Sequence, residues 1–452
     1  MNNPLLADFA TPFDTAPFDQ ITPDHFLPAI KAAIAEAKED ISIIKAETLP
    51  TFENTIEALD GAGKKLGIIA GIFFNLNSAE TNEEIQSLAR EISPLLTEHG
   101  NDILLDQILF QRVSQVFEQK DKLDLTAEQN TLLEKTYKSF VRNGAKLSED
   151  KTDVLRKIDQ QLAQTSLKFG ENVLAETNKF VHFIDNESDL EGLPEGIKEA
   201  AAQIAEEKGE VGKWAFTLDY PSYIPAMTYS KNRELRETLF LANGTKCAKG
   251  DELDNQQNIK DILKLRHDRA VLLGYKSHAD FVLEDRIAKS PDQVQSFLAS
   301  LLQKAKPKGL EEIKELEAFA NEIDGLKGLQ KWDFAYYSEL LKKEKYALDD
   351  ELLRPYFQLE KVIDGVFQTA EKLFGITFVP QSDIPVYHKD VTAYEVKDQD
   401  GNYLSIFYAD FFPRPGKRNG AWMTSYKTIR TYVHMSLLYA ISPNLRSPSL
   451  AY

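Results

Sequence analysis

Histidine is the residue type through which this chain could most readily hold a catalytic metal, because a neutral imidazole is the commonest metal ligand. The 452 residues include seven: His25, His99, His182, His267, His278, His388 and His434. A helical H-E-x-x-H zinc site needs two histidines four residues apart, and no two have that spacing. The inverted motif is absent too, since Glu98 precedes His99 but position 95 is Leu95. Spacing alone therefore predicts no metal-ligating residue.

Other kinds of reactive site are no better supported by the sequence. There is no G-x-S-x-G nucleophile motif, and the single Cys247 has no histidine near it in sequence. Residues 61–64, Gly-Ala-Gly-Lys, resemble part of a phosphate loop, but the spacing and the following Ser or Thr are missing. We interpret them as a stretch of helix whose small residues allow close packing. The residues alone therefore predict no catalytic group.

The overall charge limits the kinds of partner. A net charge of −18 opposes binding to nucleic acid or to an anionic membrane, since both would repel the chain. The first ten residues lack the basic and apolar regions of a secretory signal. No run approaches the roughly 18 apolar residues of a membrane span. We predict a cytoplasmic protein that binds neither nucleic acid nor membrane.

The first 210 residues or so have the apolar spacing of successive helices. One helix is predicted to begin at Thr22-Pro23-Asp24, which supplies a capping hydroxyl, a proline and an acid in the first turn. Its apolar residues recur every three or four positions: Phe26, Ile30, Ala33, Ile34, Ala37, Ile41 and Ile44. Further helices are predicted over about 52–75, 82–117, 126–143 and 151–176. Residues 192–209 are predicted to form a short acidic helix pair.

The second half is predicted to be helical with a small sheet near its end. Residues 214–223 read as extended, and Pro221 and Pro225 are expected to interrupt any helix there. Helices should then resume over 232–374. Residues 391–396 and 403–407 flank Asp400-Gly401, a pattern typical of a β-hairpin. The fold class is therefore mostly α, with a small β-sheet near the C-terminus.

Several segments, in order along the chain, resemble one family. They are 17–21 (Pro-Phe-Asp-Gln-Ile), 25–29 (His-Phe-Leu-Pro-Ala), 51–56 (Thr-Phe-Glu-Asn-Thr-Ile), 272–275 (Leu-Leu-Gly-Tyr), 279–281 (Ala-Asp-Phe), 332–337 (Trp-Asp-Phe-Ala-Tyr-Tyr), 354–357 (Arg-Pro-Tyr-Phe), 384–388 (Ile-Pro-Val-Tyr-His), 407–412 (Phe-Tyr-Ala-Asp-Phe-Phe) and 420–426 (Gly-Ala-Trp-Met-Thr-Ser-Tyr). The last follows Arg414, Lys417 and Arg418. Together they resemble the thimet oligopeptidase family of zinc metallopeptidases, most of all its bacterial peptidyl-dipeptidase (dipeptidyl carboxypeptidase) branch, over residues 1 to about 427.

The resemblance implies a fold and an activity. Relatives have two mostly helical lobes around a deep channel, and one zinc ion with which they cleave short peptides, in this branch releasing C-terminal dipeptides. The resemblance also divides the chain into an N-terminal helical region (1–212), the first part of a catalytic domain (213–427) and a tail (428–452). Gly420, Ala421 and Trp422 resemble the cleft-edge strand that pairs with the substrate backbone. The alternative for these three is a core strand in which Trp422 is packing.

The tail stops resembling the family at about Thr428. Relatives continue there with Cys-Asn-Phe-Thr-Lys-Pro and then the H-E-F-G-H zinc helix. Codons for 439–445, read in a shifted frame, permit Cys-Asn-Phe-Thr-Lys-Pro, so we favour a frameshift near codon 428, in the genome or in the sequencing. An unrelated natural C-terminus and an assembly artefact are the alternatives. The chain alone is then expected to be an inactive, marginally stable truncation with exposed apolar surface.

Two other functions remain open at this point. The chain could act as a non-catalytic peptide-binding or helical interaction module, an alternative favoured by the missing zinc motif. It could instead be one half of a split peptidase whose missing C-terminal half is a separate polypeptide. A neighbouring reading frame that begins with the zinc motif would distinguish the second alternative from the first.

Overall fold

The computed structural model describes residues 3–427, and the tail predicted over 428–452 lies outside them. Helices make up 64% of the structure. Within 3–427 the α-helices are α1 Phe26–Ala46, α2 Ala58–Gly61, α3 Lys64–Ala79, α4 Glu83–Leu104, α5 Gln107–Glu118, α6 Ala127–Arg142, α7 Glu149–Lys179, α8 Glu195–Glu207, α9 Tyr220–Tyr229, α10 Arg233–Gly244, α11 Gln256–Leu272, α12 His278–Leu283, α13 Pro291–Asp324, α14 Phe334–Tyr346, α15 Asp350–Leu353 and α16 Leu359–Phe374. A π-helical turn, Phe52–Glu57, precedes α2.

Five strands form two antiparallel sheets in this part of the chain. They are β1 His182–Ile184, β2 Trp214–Phe216, β3 Thr377–Gln381, β4 Val391–Lys397 and β5 Tyr403–Asp410. β1 pairs with β2, and the second sheet has the order β3-β4-β5. The predicted hairpin is confirmed as β4 and β5, in which Val391 pairs with Asp410. The mostly α fold class with a sheet near the end is therefore confirmed, while β1 and β3 were not predicted.

The first long helix begins where its capping residues predict. The backbone N–H of Thr22 donates to Nδ1 of His25 at 3.1 Å, and a 3-10 turn over Pro23–His25 leads into α1. The predicted apolar positions of α1 are buried, except that Ile34 is only half-buried. His25 therefore caps the start of the helix, and this role explains its position without a bound metal.

The prediction that proline prevents a helix near residue 221 is wrong. Pro221 lies in the first turn of α9, where the N–H that proline lacks would have no partner in the helix anyway. Pro225 lies inside α9 and costs it one backbone hydrogen bond. Pro225 and the following Ala226 and Met227 are buried, so tertiary packing offsets that loss. The predicted helix pair over 192–209 is likewise one helix, α8, after a 3-10 turn at Glu187–Leu190.

Residues 61–64 are a junction between helices, which corrects their interpretation as continuous helix. α2 ends at Gly61, and Gly63 has the left-handed φ of +69° before α3 begins. A Cβ built on Gly63 would lie 3.3 Å from Cβ of Ala37 on α1. The glycine therefore permits both a turn and a close approach between α1 and α3.

The largest core cluster joins the first helices to the last sheet. Ile30 of α1 and Phe73 of α3 belong to the same buried cluster as Val391 of β4 and Ile406 of β5. Tyr426, near the end of the described residues, belongs to it as well. The division at residue 212 stays a prediction, and this core contains residues from both sides of it. No helix within 3–427 is long and apolar enough to cross a membrane.

Candidate functional site

A cleft of about 800 Å³ lies between α8, α9 and the segment 413–424, which we call the cleft segment. Ile197 and Ile204 of α8 and Ile224 of α9 give one wall an apolar character. Pro413, Pro415, Gly420 and Ala421 line it from the cleft segment. The volume is in the range of ordinary ligand pockets.

Charged groups from α14 and α15 also line the cleft. Glu339 and Asp350 are lining residues, and the ammonium of Lys342 lies 2.7 Å from a carboxylate oxygen of each. Hydrogen bonds to Asp350 and then to Glu339 raise the pKa of Lys342, so the amine stays charged at neutral pH. Arg354 is another lining residue, and its Nη2 lies 3.2 Å from Oε1 of Glu351. The cleft therefore combines an apolar wall with both signs of charge.

The cleft segment is fixed at its start by buried charges. β5 ends at Asp410, whose carboxylate is inaccessible to solvent. Arg414 donates two hydrogen bonds to it, from Nη1 at 2.9 Å and Nη2 at 2.8 Å. Lys417 Nζ lies 2.8 Å from Oδ1, and the hydroxyl of Tyr387 donates to Oδ2 at 2.9 Å. The two cations and the carboxylate hold the chain in a tight turn after the strand.

The protonation states of this cluster follow from burial and pairing. Burial raises the pKa of Asp410, but the hydrogen bonds from Arg414 and Lys417 outweigh it, so the net pKa is lowered. Burial lowers the pKa of Lys417, and the neighbouring Asp410 opposes that shift. Burial also raises the pKa of Tyr387, as does the Asp410 charge. The ion pairs favour an ionised Asp410 carboxylate beside charged Arg414 and Lys417, and burial favours a neutral Tyr387 phenol.

Backbone contacts fix the same segment to the end of α3. The N–H of Thr81 donates to the carbonyl of Gly416 at 2.8 Å, and the N–H of Arg418 donates to the carbonyl of Ser78 at 2.9 Å. A Cβ on Gly416 would lie only 2.6 Å from the carbonyl oxygen of Thr81, so this approach requires glycine. On the other side, Asn178 Nδ2 donates to the carbonyl of Pro415 at 2.8 Å.

The three predicted substrate-binding residues lie at or beside the cleft. Gly420, with φ of +115°, and Ala421 line it, whereas Trp422 is half-buried with its ring 6.0 Å from Lys417 Nζ. None of the three belongs to a strand within the described residues. No backbone hydrogen bond between described residues involves 420–424. The substrate-binding role of these residues and the core-strand alternative both stay predictions.

The histidines are dispersed in the structure. His99 is buried in α4, His388 lies 3.6 Å from Asp390, and His434 lies outside the described residues. Over 3–427, no group of three or more His, Cys, Asp or Glu side chains is arranged to hold a metal ion. The described residues therefore do not fit a zinc ion, and we assign no ligand among them.

The anchoring role of Asp410 could not be found from the sequence alone. Arg414 and Lys417 attract attention as basic residues just before the Gly-Ala-Trp segment, and Asp410 belongs to another motif. The available signal is the spacing of an acid with basic residues four and seven positions later. That spacing becomes meaningful only once β5 is known to end at Asp410.

Fold and site together define a mostly helical protein with a cleft between α8, α9 and the cleft segment. The sequence model of peptidase family M3 matches residues 226–451. Dipeptidyl carboxypeptidase of Escherichia coli is 35% identical over 426 residues, which are 94% of this chain and 63% of that protein. Oligopeptidase A of Escherichia coli is 34% identical over 428 residues, which are 94% of this chain and 62% of that protein. Probable cytosolic oligopeptidase A of Arabidopsis thaliana is 34% identical over 432 residues, which are 93% of this chain and 61% of that protein.

These similarities identify the family. The chain belongs to peptidase family M3. It spans a little over three-fifths of the length of the three relatives named above. The family match and the similarity to these relatives confirm the resemblance predicted from the sequence.

Proposed function

We propose that this chain supplies the peptide-binding part of a peptidase that acts on short peptides and releases dipeptides from their C-termini. The observation that carries the proposal is the position of Gly420 and Ala421 on an 800 Å³ cleft, in a stretch (420–424) whose backbone forms no hydrogen bond with another described residue. The name of the relative from Escherichia coli, dipeptidyl carboxypeptidase, supports the reaction type. The opposite apolar wall would receive peptide side chains.

The proposed binding mode uses the backbone of residues 420–424, which forms no hydrogen bond with another residue between 3 and 427. An extended peptide can add to a free chain edge, where main-chain hydrogen bonds give affinity and pockets for alternate side chains give specificity. The cluster at Asp410 and the close approach of Gly416 to Thr81 fix the start of the cleft segment before any peptide binds. This pre-organisation lowers the ordering cost of binding.

Zinc belongs to the proposal only as a family property. A bound zinc ion would polarise the scissile carbonyl and activate a water molecule. Residues 3–427 do not provide a fitting set of ligands, so no catalytic step is derived through the metal. We propose that the chain by itself binds peptides without cleaving them, and that the protein acts in the cytoplasm.

Peptides with single N-methyl groups test the binding mode. In a strand pairing only every second residue presents its N–H to the partner strand, so methylation at alternate positions should weaken binding. Each lost hydrogen bond is worth about 1 kcal/mol, or about fivefold in Kd. Calorimetry with a five-residue peptide and its N-methyl series measures this. An affinity that is insensitive to methylation, or lowered equally at every position, would refute the pairing.

Adding the unmatched part of a related peptidase distinguishes two alternatives, a non-catalytic module and one half of a split peptidase. A non-catalytic peptide-binding or interaction module should remain inactive when the unmatched part of Escherichia coli dipeptidyl carboxypeptidase is supplied with zinc. One half of a split peptidase should gain dipeptide release under the same conditions. Mass spectrometry of the peptide products separates these outcomes, with the unmatched part alone as the control.

A further inference from the structure

Arg418 of the cleft segment carries a guanidinium that has no partner among the described residues. The cleft segment has three cations, and two of them, Arg414 and Lys417, are paired with Asp410. The backbone N–H of Arg418 donates to the carbonyl of Ser78, but its side chain forms no hydrogen bond or ion pair with another described residue. The five N–H groups of this guanidinium are therefore open to an acceptor on a bound molecule.

The guanidinium lies against a part of α7 that has no side chain. A Cβ built on Gly170 would lie 3.6 Å from Nη2 and 3.9 Å from Cζ of Arg418, so this glycine offers the cation no acceptor of its own. The next residue, Glu171, is buried, and both of its carboxylate oxygens accept from Nη1 of Arg90, at 3.1 and 3.0 Å. Arg90 therefore engages the neighbouring carboxylate, and Arg418 forms no ion pair with it.

Arg418 is partly buried, yet it keeps its charge. Burial lowers the pKa of its guanidinium, and the charge of Glu171 opposes that shift. The ordinary pKa of arginine is so high that the group stays protonated at neutral pH. Removing a cation from water without pairing it costs free energy, which a bound anion would offset. A carboxylate suits the site best, because it can accept two parallel N–H groups of the fork.

The position of Arg418 places this cation just beyond one end of the proposed peptide-binding backbone. It comes two residues before Gly420, where the stretch 420–424 begins. On α7, Gly170 is seven residues before the cleft-lining Thr177, so the two share one side of the helix and lie about 10 Å apart along it. An extended peptide covers that length with about three residues. A peptide in the cleft can therefore reach the guanidinium with its terminus.

We propose that Arg418 binds the C-terminal carboxylate of the peptide and so fixes the direction of the peptide along the cleft segment. A peptide that pairs antiparallel with 420–424 brings its C-terminal end past Gly420 to Arg418. A parallel peptide would bring its charged N-terminal amine there, which the cation repels. This role rests on the proposed function, because a peptidase that releases dipeptides must measure two residues from a free carboxylate. Arg418 is thus a specificity residue that takes no part in cleavage itself.

Calorimetry with a free and an amidated peptide tests this role. The five-residue peptide is compared with the same sequence ending in a carboxamide, on the natural chain, on Arg418→Gln and on the control Arg286→Gln, whose exposed arginine lies outside the cleft. The amide should bind about tenfold more weakly than the acid to the natural chain and to the control. Arg418→Gln should bind both peptides with the affinity of the amide. Equal binding of acid and amide by the natural chain, or a preference that survives in Arg418→Gln, overturns the proposal.

A third peptide separates the terminal carboxylate from an acidic side chain. This peptide ends in glutamate and is amidated, so it keeps one carboxylate near its end but lacks the terminal one. It should bind the natural chain as weakly as the other amide. An affinity equal to that of the free acid would assign Arg418 to an acidic side chain and overturn the proposal.

Photocrosslinking tests the direction of the peptide without a variant. A benzophenone side chain on the last residue of the free acid should label residues 166–174 of α7, and the same group on the first residue should not. Labelling of that stretch from the first residue, or from neither position, overturns the proposal. A natural chain that binds none of the peptides contradicts the proposed function and the role of Arg418 with it. Binding that ignores the C-terminus overturns only the role of Arg418.

Discussion

The ammonium nitrogen of Lys417 lies 2.8 Å from Oδ1 of Asp410, and both side chains are almost completely shielded from water. The same nitrogen donates to the backbone carbonyls of Asp410 at 2.8 Å and of Phe412 at 3.0 Å. These three polar contacts of Lys417 therefore fall on the last residue of β5 and on the turn that follows it. The position of the cleft segment depends on this buried pair.

Neutralising Asp410 should destabilise the protein severely. Asp410→Asn leaves Lys417 buried without its counter-charge and leaves Arg414 with only the partly exposed Glu80, and breaking a buried pair in this way costs about 3–5 kcal/mol. Glu80→Gln is the matched control, because Glu80 contacts the same Arg414 from a partly exposed position and should cost at most about 1 kcal/mol. Urea unfolding measures both changes. Equal losses for the two variants would contradict the role given to Asp410.

Adding one methyl group at Gly416 should displace the cleft segment. In Gly416→Ala the new Cβ meets the backbone of Thr81, which cannot move aside as a flexible side chain would, so a loss of about 1–3 kcal/mol is expected. Peptide affinity should fall as well. Gly67→Ala is the control, since Gly67 lies in α3 with open space around it and alanine should stabilise the helix by roughly 0.5–1 kcal/mol. Thermal unfolding and calorimetry check both variants.

A charge placed on the apolar wall should weaken peptide binding without unfolding the protein. Ile224 lines the cleft and is half exposed, so Ile224→Glu should be tolerated by the fold. It should raise the Kd for a short apolar peptide about tenfold, which corresponds to about 1.4 kcal/mol. The control Ile43→Glu makes a comparable change on α1, outside the cleft. If both variants bind like the natural chain, peptides bind elsewhere.

Stability should fall on mild acidification, partly because of His99. Burial lowers the pKa of His99, and nearby Lys38 lowers it further while Asp102 opposes the shift. The unfolded chain then takes up a proton near pH 6.5 that the folded one resists, so stability decreases as pH falls from about 7.5 through that range. One such histidine changes the free energy of unfolding by at most about 1.4 kcal/mol per pH unit.

Replacing this histidine isolates its contribution, because burial also lowers the pKa of His182 and His278. His99→Gln should give a smaller loss of unfolding free energy between pH 7.5 and 5.5 than the natural chain. Urea unfolding at the two pH values is the measurement. An identical loss in both proteins would show that His99 does not titrate in this range.

Local patterns predicted much of the helical part. The apolar spacing in α1 and the cap at Thr22 depend on neighbours within one helix, so the sequence suffices for both. The helix through Pro225 could not be predicted, because what stabilises it is packing in a cluster that includes Leu190 and Leu239. β3 was missed for a similar reason: it contains Pro380, which is tolerated because β3 is at the edge of its sheet.

The candidate site was less accessible to prediction than the helices. The resemblance selected Gly420 and Ala421, which do line the cleft, whereas no spacing rule selects them. The opposite wall comes from α8 and α9, some 200 residues earlier in the chain. Gly416 shows most clearly what the sequence could not predict. Only glycine fits at this position, because the backbone of Thr81, distant in sequence, lies against it in the fold.

The contact between Arg414 and Glu80 joins residues 334 positions apart. A ribosome that adds about 5–20 residues per second makes Glu80 roughly 15–70 seconds before Arg414. Until then the Ser78 carbonyl and the Thr81 amide, at the end of α3, can form hydrogen bonds only with water or other groups, because their partners Arg418 and Gly416 have not been made. The cleft can therefore form only after Arg414 has been made, when α1 and α3 have already had time to pack together.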